Sequence, residues 1–170
     1  MPVSPAYDGS VVEELAGLLG HELAGLLDRL ATWPTSRWTG TAGPFGNRAE
    51  AVRHLADALA TAAWQLESGR VGQRPTVPDL GADAVVVDQL AVTADDLDRA
   101  LRERGPAGSA AGPIAAHALA EVVLHMHDLD GSRPTMRVAL GVLAALADGE
   151  PRSEPVVHVL AAARGWCPAS

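Results

Sequence analysis

The chain has 170 residues, of which 48% are hydrophobic and 20% charged, enough for one domain with an ordinary core. A formal net charge of −8 argues against a nucleic-acid binder, since contact with a phosphate backbone requires a basic face, so no nucleic-acid partner is expected. All 13 basic residues are arginine and there is one cysteine, which excludes lysine Schiff-base chemistry, a P-loop, an internal disulfide framework and a cysteine-rich zinc site.

Residues 1–10 lack a basic cluster followed by an apolar run, and no stretch has the roughly 18 uninterrupted apolar residues of a membrane span. The expectation is a single soluble, cytoplasmic domain over 1–170, without a membrane partner and loose at 1–10 and 167–170. Ser10 and Glu13 have capping-box spacing ahead of a periodic run through Val11, Leu15, Leu18, Leu19, Leu26 and Leu30, which predicts a first helix over 11–31. Pro34, Gly40, Gly43, Pro44 and Gly46 predict a loop over 32–46, with Trp33, Trp38 and Phe45 tucked against the helices. Asn47 and Glu50 repeat the capping spacing and open a second helix over 48–67, stopped by Gly69.

After a proline-containing connector over 69–80, residues 82–104 read as a third helix, broken near Thr93, where Thr93 and Asp96 suggest a new start and Asp95–Asp96 would supply helix-start charge. Val85, Val86 and Val87 are strand-like, but no second such run exists to pair with them. A loop over 105–112 leads to a fourth helix with Pro113 in its first turn, ending at Gly131. Further helices are expected over 134–148 and 154–164. The fold class that follows is all-α, an antiparallel four-helix bundle with one or two extra short helices.

The fourth predicted helix carries the chemistry. At about 100° per residue, His117, Glu121, His125 and Asp128 fall on one stripe about 80° wide, on a helix otherwise built of Ala, Val, Leu and Met. A Glu and a His one turn apart can share one metal ion, but a site needs a third ligand from a facing helix. His54, in an apolar context midway along the second helix, is the candidate, since an imidazole buried there needs a reason. Two His and one carboxylate leave room for a water or substrate atom, the open arrangement of catalytic zinc and of other divalent ions. Asp128 could orient a ligand imidazole from behind. Without a metal, the same residues would form a buried, hydrogen-bonded polar cluster.

His54 in a His-Leu-Ala context, followed by Glu121-Val-Val-Leu-His125-Met-His-Asp128-Leu129, resembles the mycothiol-dependent maleylpyruvate isomerase N-terminal domain of the DinB/YfiT-like superfamily. The resemblance implies a DinB-like four-helix bundle in which His54, Glu121 and His125 bind a divalent metal, zinc or alternatively nickel. It further implies that the metal activates a thiol, typically mycothiol, for transfer, conjugation or isomerisation of a small-molecule substrate. The family often places a Trp-Thr pair eight residues before the helix-2 His. Here Trp38-Thr39 precedes His54 by sixteen, as if the loop were lengthened. The isomerase itself carries a further C-terminal domain, so the expected reaction is a relative of that isomerisation. Two other readings stay open. One is a metal-free biosynthetic enzyme for natural products on the same fold, with His54 and Glu121 as acid and base. The other is a non-catalytic bundle that binds a small ligand or a partner chain, as in a homodimer through the valine-rich third helix.

The remaining candidates have plainer readings. His117 reads as a helix-face residue near the pocket, His127 as pointing about 120° away, His21 as surface and His158 as packing. Arg37 and Arg53 read as solvated surface arginines, and Cys167 has no neighbour that would activate it.

Overall fold

The computed structural model describes residues 9–70, 72, 83–104, 110–134 and 138; among them it holds five helices, no strand and one isolated bridge between Ala42 and Phe45. The leucine stripe at 15, 18, 19, 23, 26 and 30 forms the buried face of α1 (Gly9–Ala31). Because α1 already includes Gly9, Ser10 lies inside its first turn rather than at the expected cap. The stretch expected to be loose is thus helical at residues 9 and 10, and the rest of it lies outside the described residues.

The expected plain loop over 32–46 is corrected by a one-turn helix, α2 (Thr35–Trp38), entered through Pro34 at φ −68°. A proline ring fixes that angle in advance. Trp38 is buried at its end, 5.2 Å from the Trp33 ring.

The second predicted helix is α3 (Arg48–Ser68), capped as expected. The Asn47 side chain accepts the Glu50 N–H at 2.9 Å, and the Glu50 carboxylate accepts the Gly46 N–H at 2.9 Å. Gly69, in the left-handed region at φ +66°, ends it and donates its N–H to the Gln65 carbonyl.

The third predicted helix, α4 (Asp83–Arg104), is not broken at Thr93. The Thr93 hydroxyl donates to the Gln89 and Leu90 carbonyls at 3.1 and 3.0 Å, so it is satisfied within its own helix and caps no new one. Asp95 and Asp96 therefore sit mid-helix, where Asp96 pairs with Arg99. The valine run is helical, with Val86 buried and Val87 packed on the core.

The fourth predicted helix is α5 (Ala111–Asp130), with Pro113 in its first turn and Gly131 at φ +73° closing it. The helices expected over 134–148 and 154–164, together with His158 and Cys167, lie outside the described residues apart from Pro134 and a buried Val138.

α3 packs against α4 and α5, and α1 packs against the same two helices. Leu15, Leu26, Leu55, Leu59, Leu90, Leu97 and Leu119 are sealed between them. α3 runs antiparallel to α5. Arg48 at its start donates to the Leu129 carbonyl near the end of α5 at 2.9 Å, while His54, further along, reaches back to Glu121. The C-terminal ends of α1 and α5 meet in an Arg29–Asp130 ion pair at 3.1 Å. Among the described residues, no helix is long and apolar enough to cross a membrane.

Candidate metal centre

The antiparallel pairing of α3 and α5 brings together the three side chains that the sequence spacing singles out. His54, Glu121 and His125 each offer one ligand atom, and these atoms all lie within 4.8 Å of one another, so the group could hold a metal ion. His125 Nε2 is 3.0 Å and His54 Nε2 3.9 Å from the same oxygen, Glu121 Oε2. Ligands about 2.0–2.2 Å from a tetrahedral ion are roughly 3.3–3.5 Å apart, so the two separations bracket that value. The two imidazole rings stand 5.1 Å apart, nearly perpendicular at 77°.

The burial is lopsided. Glu121 and His125 have side chains only 6% and 4% exposed, whereas His54 is 52% exposed. The expectation of a buried His54 is corrected: it forms the solvent-facing rim of the group, because its position on α3 lies just outside the Leu55–Ala56 contact with the core. One side of the set is thus open to solvent and the other sealed.

Burial pushes the Glu121 carboxyl up, but the hydrogen bond from His125 and the charges of His125, His117 and His54 outweigh it and hold the group below its usual value. An ionised Glu121 only accepts, so in this bond the His125 Nε2–H is the donor. The other ring nitrogen, His125 Nδ1, is buried without a hydrogen-bond partner and lies 3.4 Å from Asp128 Oδ2. A neutral ring protonated at Nε2 would turn a bare lone pair toward that carboxylate. With Nε2 given to a metal, the ring proton sits on Nδ1 and faces Asp128, a common arrangement behind ligand histidines. The donor set and this orphaned nitrogen both fit a divalent cation.

His117 lies on the same stripe, with Nε2 3.5 Å from the other Glu121 oxygen, Oε1. It flanks the carboxylate without joining the three converging ligand atoms. His127 is exposed, as its angular position requires, and so is His21. Arg37 stands over the Trp33 ring at 4.4 Å.

Two contributors escape a reading of spacing alone. The Phe45 ring lies 5.2 Å from the His54 ring and 5.3 Å from the His125 ring. Gly43, at φ +49°, brings bare backbone against Asp128; a Cβ there would lie 2.5–2.9 Å from the carboxylate atoms. The only hint in the sequence is a run of glycine, proline and one phenylalanine in a loop longer than expected. A separate cleft of about 230 Å³ lies between α1 and α4, lined by Leu19, Leu23, Asp98 and Arg102 among others. It shares no residue with the His–Glu group, and Asp98 and Arg102 pair with each other.

The chain matches no protein-family model, no curated protein and no solved structure at a significant level.

Proposed function

We propose that this chain is a divalent-metal-dependent enzyme that activates a thiol or a water for attack on a small electrophilic substrate. The observation that carries this reading is the convergence of His54, Glu121 and His125 ligand atoms within 4.8 Å, from two helices, with Glu121 and His125 buried and His54 open to solvent. Zinc suits a set of two imidazoles and one carboxylate, with nickel the next choice. Bound there, such an ion lowers the pKa of a thiol or water at its free position.

The chain's own residues do the rest. Glu121 stays ionised and supplies the negative charge that offsets a cation in a buried place. With His125 Nε2 as a ligand, Asp128 would accept the Nδ1 proton and hold the ring in one orientation, and His54 stands where substrate can approach. The resemblance to mycothiol-dependent transferases and isomerases makes mycothiol the first thiol to try. The helix pairings described above support reading α1, α3, α4 and α5 as a DinB-like four-helix bundle, with α2 as an added short helix.

One observation favours a second reading. An imidazolium at His125 would also satisfy both Glu121 and Asp128, and this suits a metal-free enzyme that uses His54 and Glu121 as acid and base. Elemental analysis of purified protein separates the two. About one equivalent of zinc or nickel per chain, lost in His125→Ala, upholds the metal reading; metal-free protein that still turns over substrate overturns it.

A further inference from the structure

The segment between α2 and α3 is held at many points for a loop so rich in glycine. The Phe45 N–H donates to the Ala42 carbonyl at 2.9 Å, closing a turn around Gly43 and Pro44. The next residue, Gly46, is tied to Glu50, and Asn47 caps α3. Arg48 then links the start of α3 to both flanks, donating to the Arg37 carbonyl at 2.8 Å and the Leu129 carbonyl at 2.9 Å. On the other side of Phe45, Gly43 lies flush on Asp128. Phe45 is therefore placed by contacts before and after it in the chain. Its ring, packed partly on the core, meets both ligand imidazoles, tilted 42° to His54 and 63° to His125.

We infer that Phe45 is a specificity-determining residue, an aromatic wall beside His54 and His125 that selects thiols or electrophiles carrying a flat apolar group next to the reacting atom. This rests on the metal-centre reading above. His54 is the exposed member of the group, and the Phe45 ring, 5.2 Å from it, gives an approaching ligand an aromatic surface beside that opening. Aromatic rings favour offset or edge contacts with one another, which reward a planar unsaturated group and give a small polar thiol nothing.

The test uses cobalt-loaded full-length protein and two probe thiols, benzyl mercaptan and 2-mercaptoethanol, titrated by the thiolate-to-cobalt absorption band. Wild type is expected to bind benzyl mercaptan about tenfold more tightly, a preference of the size one aromatic contact gives. Phe45→Ala should cut the ratio to about threefold or less while still binding cobalt. Phe45→Leu, which keeps apolar bulk in case the alanine variant unfolds, should lose most of the preference as well. An unchanged ratio in folded variants, or no preference in wild type, overturns the role of Phe45 and leaves the metal centre standing. Failure of wild type to bind cobalt overturns the metal reading, and this inference with it.

Discussion

Asp128 Oδ2 lies 3.4 Å from His125 Nδ1, a buried nitrogen with no hydrogen-bond partner. Carboxylates placed behind ligand histidines fix the ring and raise its basicity, and losing one typically costs 10–100-fold in metal affinity. Asp128→Ala should therefore weaken zinc binding by about that factor, with Asp128→Asn intermediate because its amide oxygen still accepts. Competition against a chromogenic chelator measures it. Equal affinities for wild type and Asp128→Ala would show that the pair is incidental.

Gly43 should behave as a remote copy of that substitution. Its left-handed φ of +49° costs a residue with a Cβ about 1 kcal/mol, and the added carbon would push the Asp128 carboxylate off its place. The carboxylate is the end of a short side chain, so it yields rather than the backbone. Gly43→Ala should lose about 1–2 kcal/mol in denaturant melts and weaken zinc binding in parallel with Asp128→Ala. In the double variant the two affinity losses should not add, since both act through one contact. Full additivity would separate Gly43 from Asp128.

The parts of this site that could be read from the chain are those set by local rules. Glu121 and His125 share a face because the helical period is 3.6, and the ends at Asn47, Gly69 and Gly131 follow from capping chemistry. His54 could be picked out by residue type, but not its exposure, which depends on how α3 is rotated in the core. Phe45 is packed on the helices as its aromatic character predicts, but its place beside His54 and His125, like the contact of Gly43 with Asp128, arises from a tertiary contact between a loop and the end of α5, for which spacing along the chain carries no signal. Thr93 misled for the opposite reason: its hydroxyl has two local outlets, capping or back-bonding, and the continuous packing of α4 chose the second.

The uneven burial of the two histidines separates binding from folding. In metal-free protein, His54→Ala removes a half-exposed side chain and should shift stability by no more than about 0.5 kcal/mol. His125→Ala strips a buried hydrogen-bond partner from Glu121 and should cost about 2 kcal/mol. Zinc at roughly a thousandfold above its Kd should stabilise wild type by about 4 kcal/mol, near 10 °C in melting temperature, and EDTA should reverse this. Both variants should lose that rise. A zinc-induced rise that survives in His54→Ala would remove this residue from the ligand set.

Asp130 joins the ends of α1 and α5 and gives the fold its own dependence on pH. Burial pushes its carboxyl up, but hydrogen bonds from the Ser132 hydroxyl and N–H, with the charge and hydrogen bond of Arg29, hold it below the usual aspartate value. A carboxyl depressed on folding stabilises the native state at every pH above its unfolded value, near 3.8, and that contribution fades as pH falls through the lower folded value. Asp130→Asn should therefore be less stable than wild type by about 1–2 kcal/mol at pH 7, and the gap should close below about pH 4. Urea melts at pH 7 and pH 3 decide it. A gap that stayed constant across that range would mean that packing at the helix ends, and not the charge of Asp130, carries the difference.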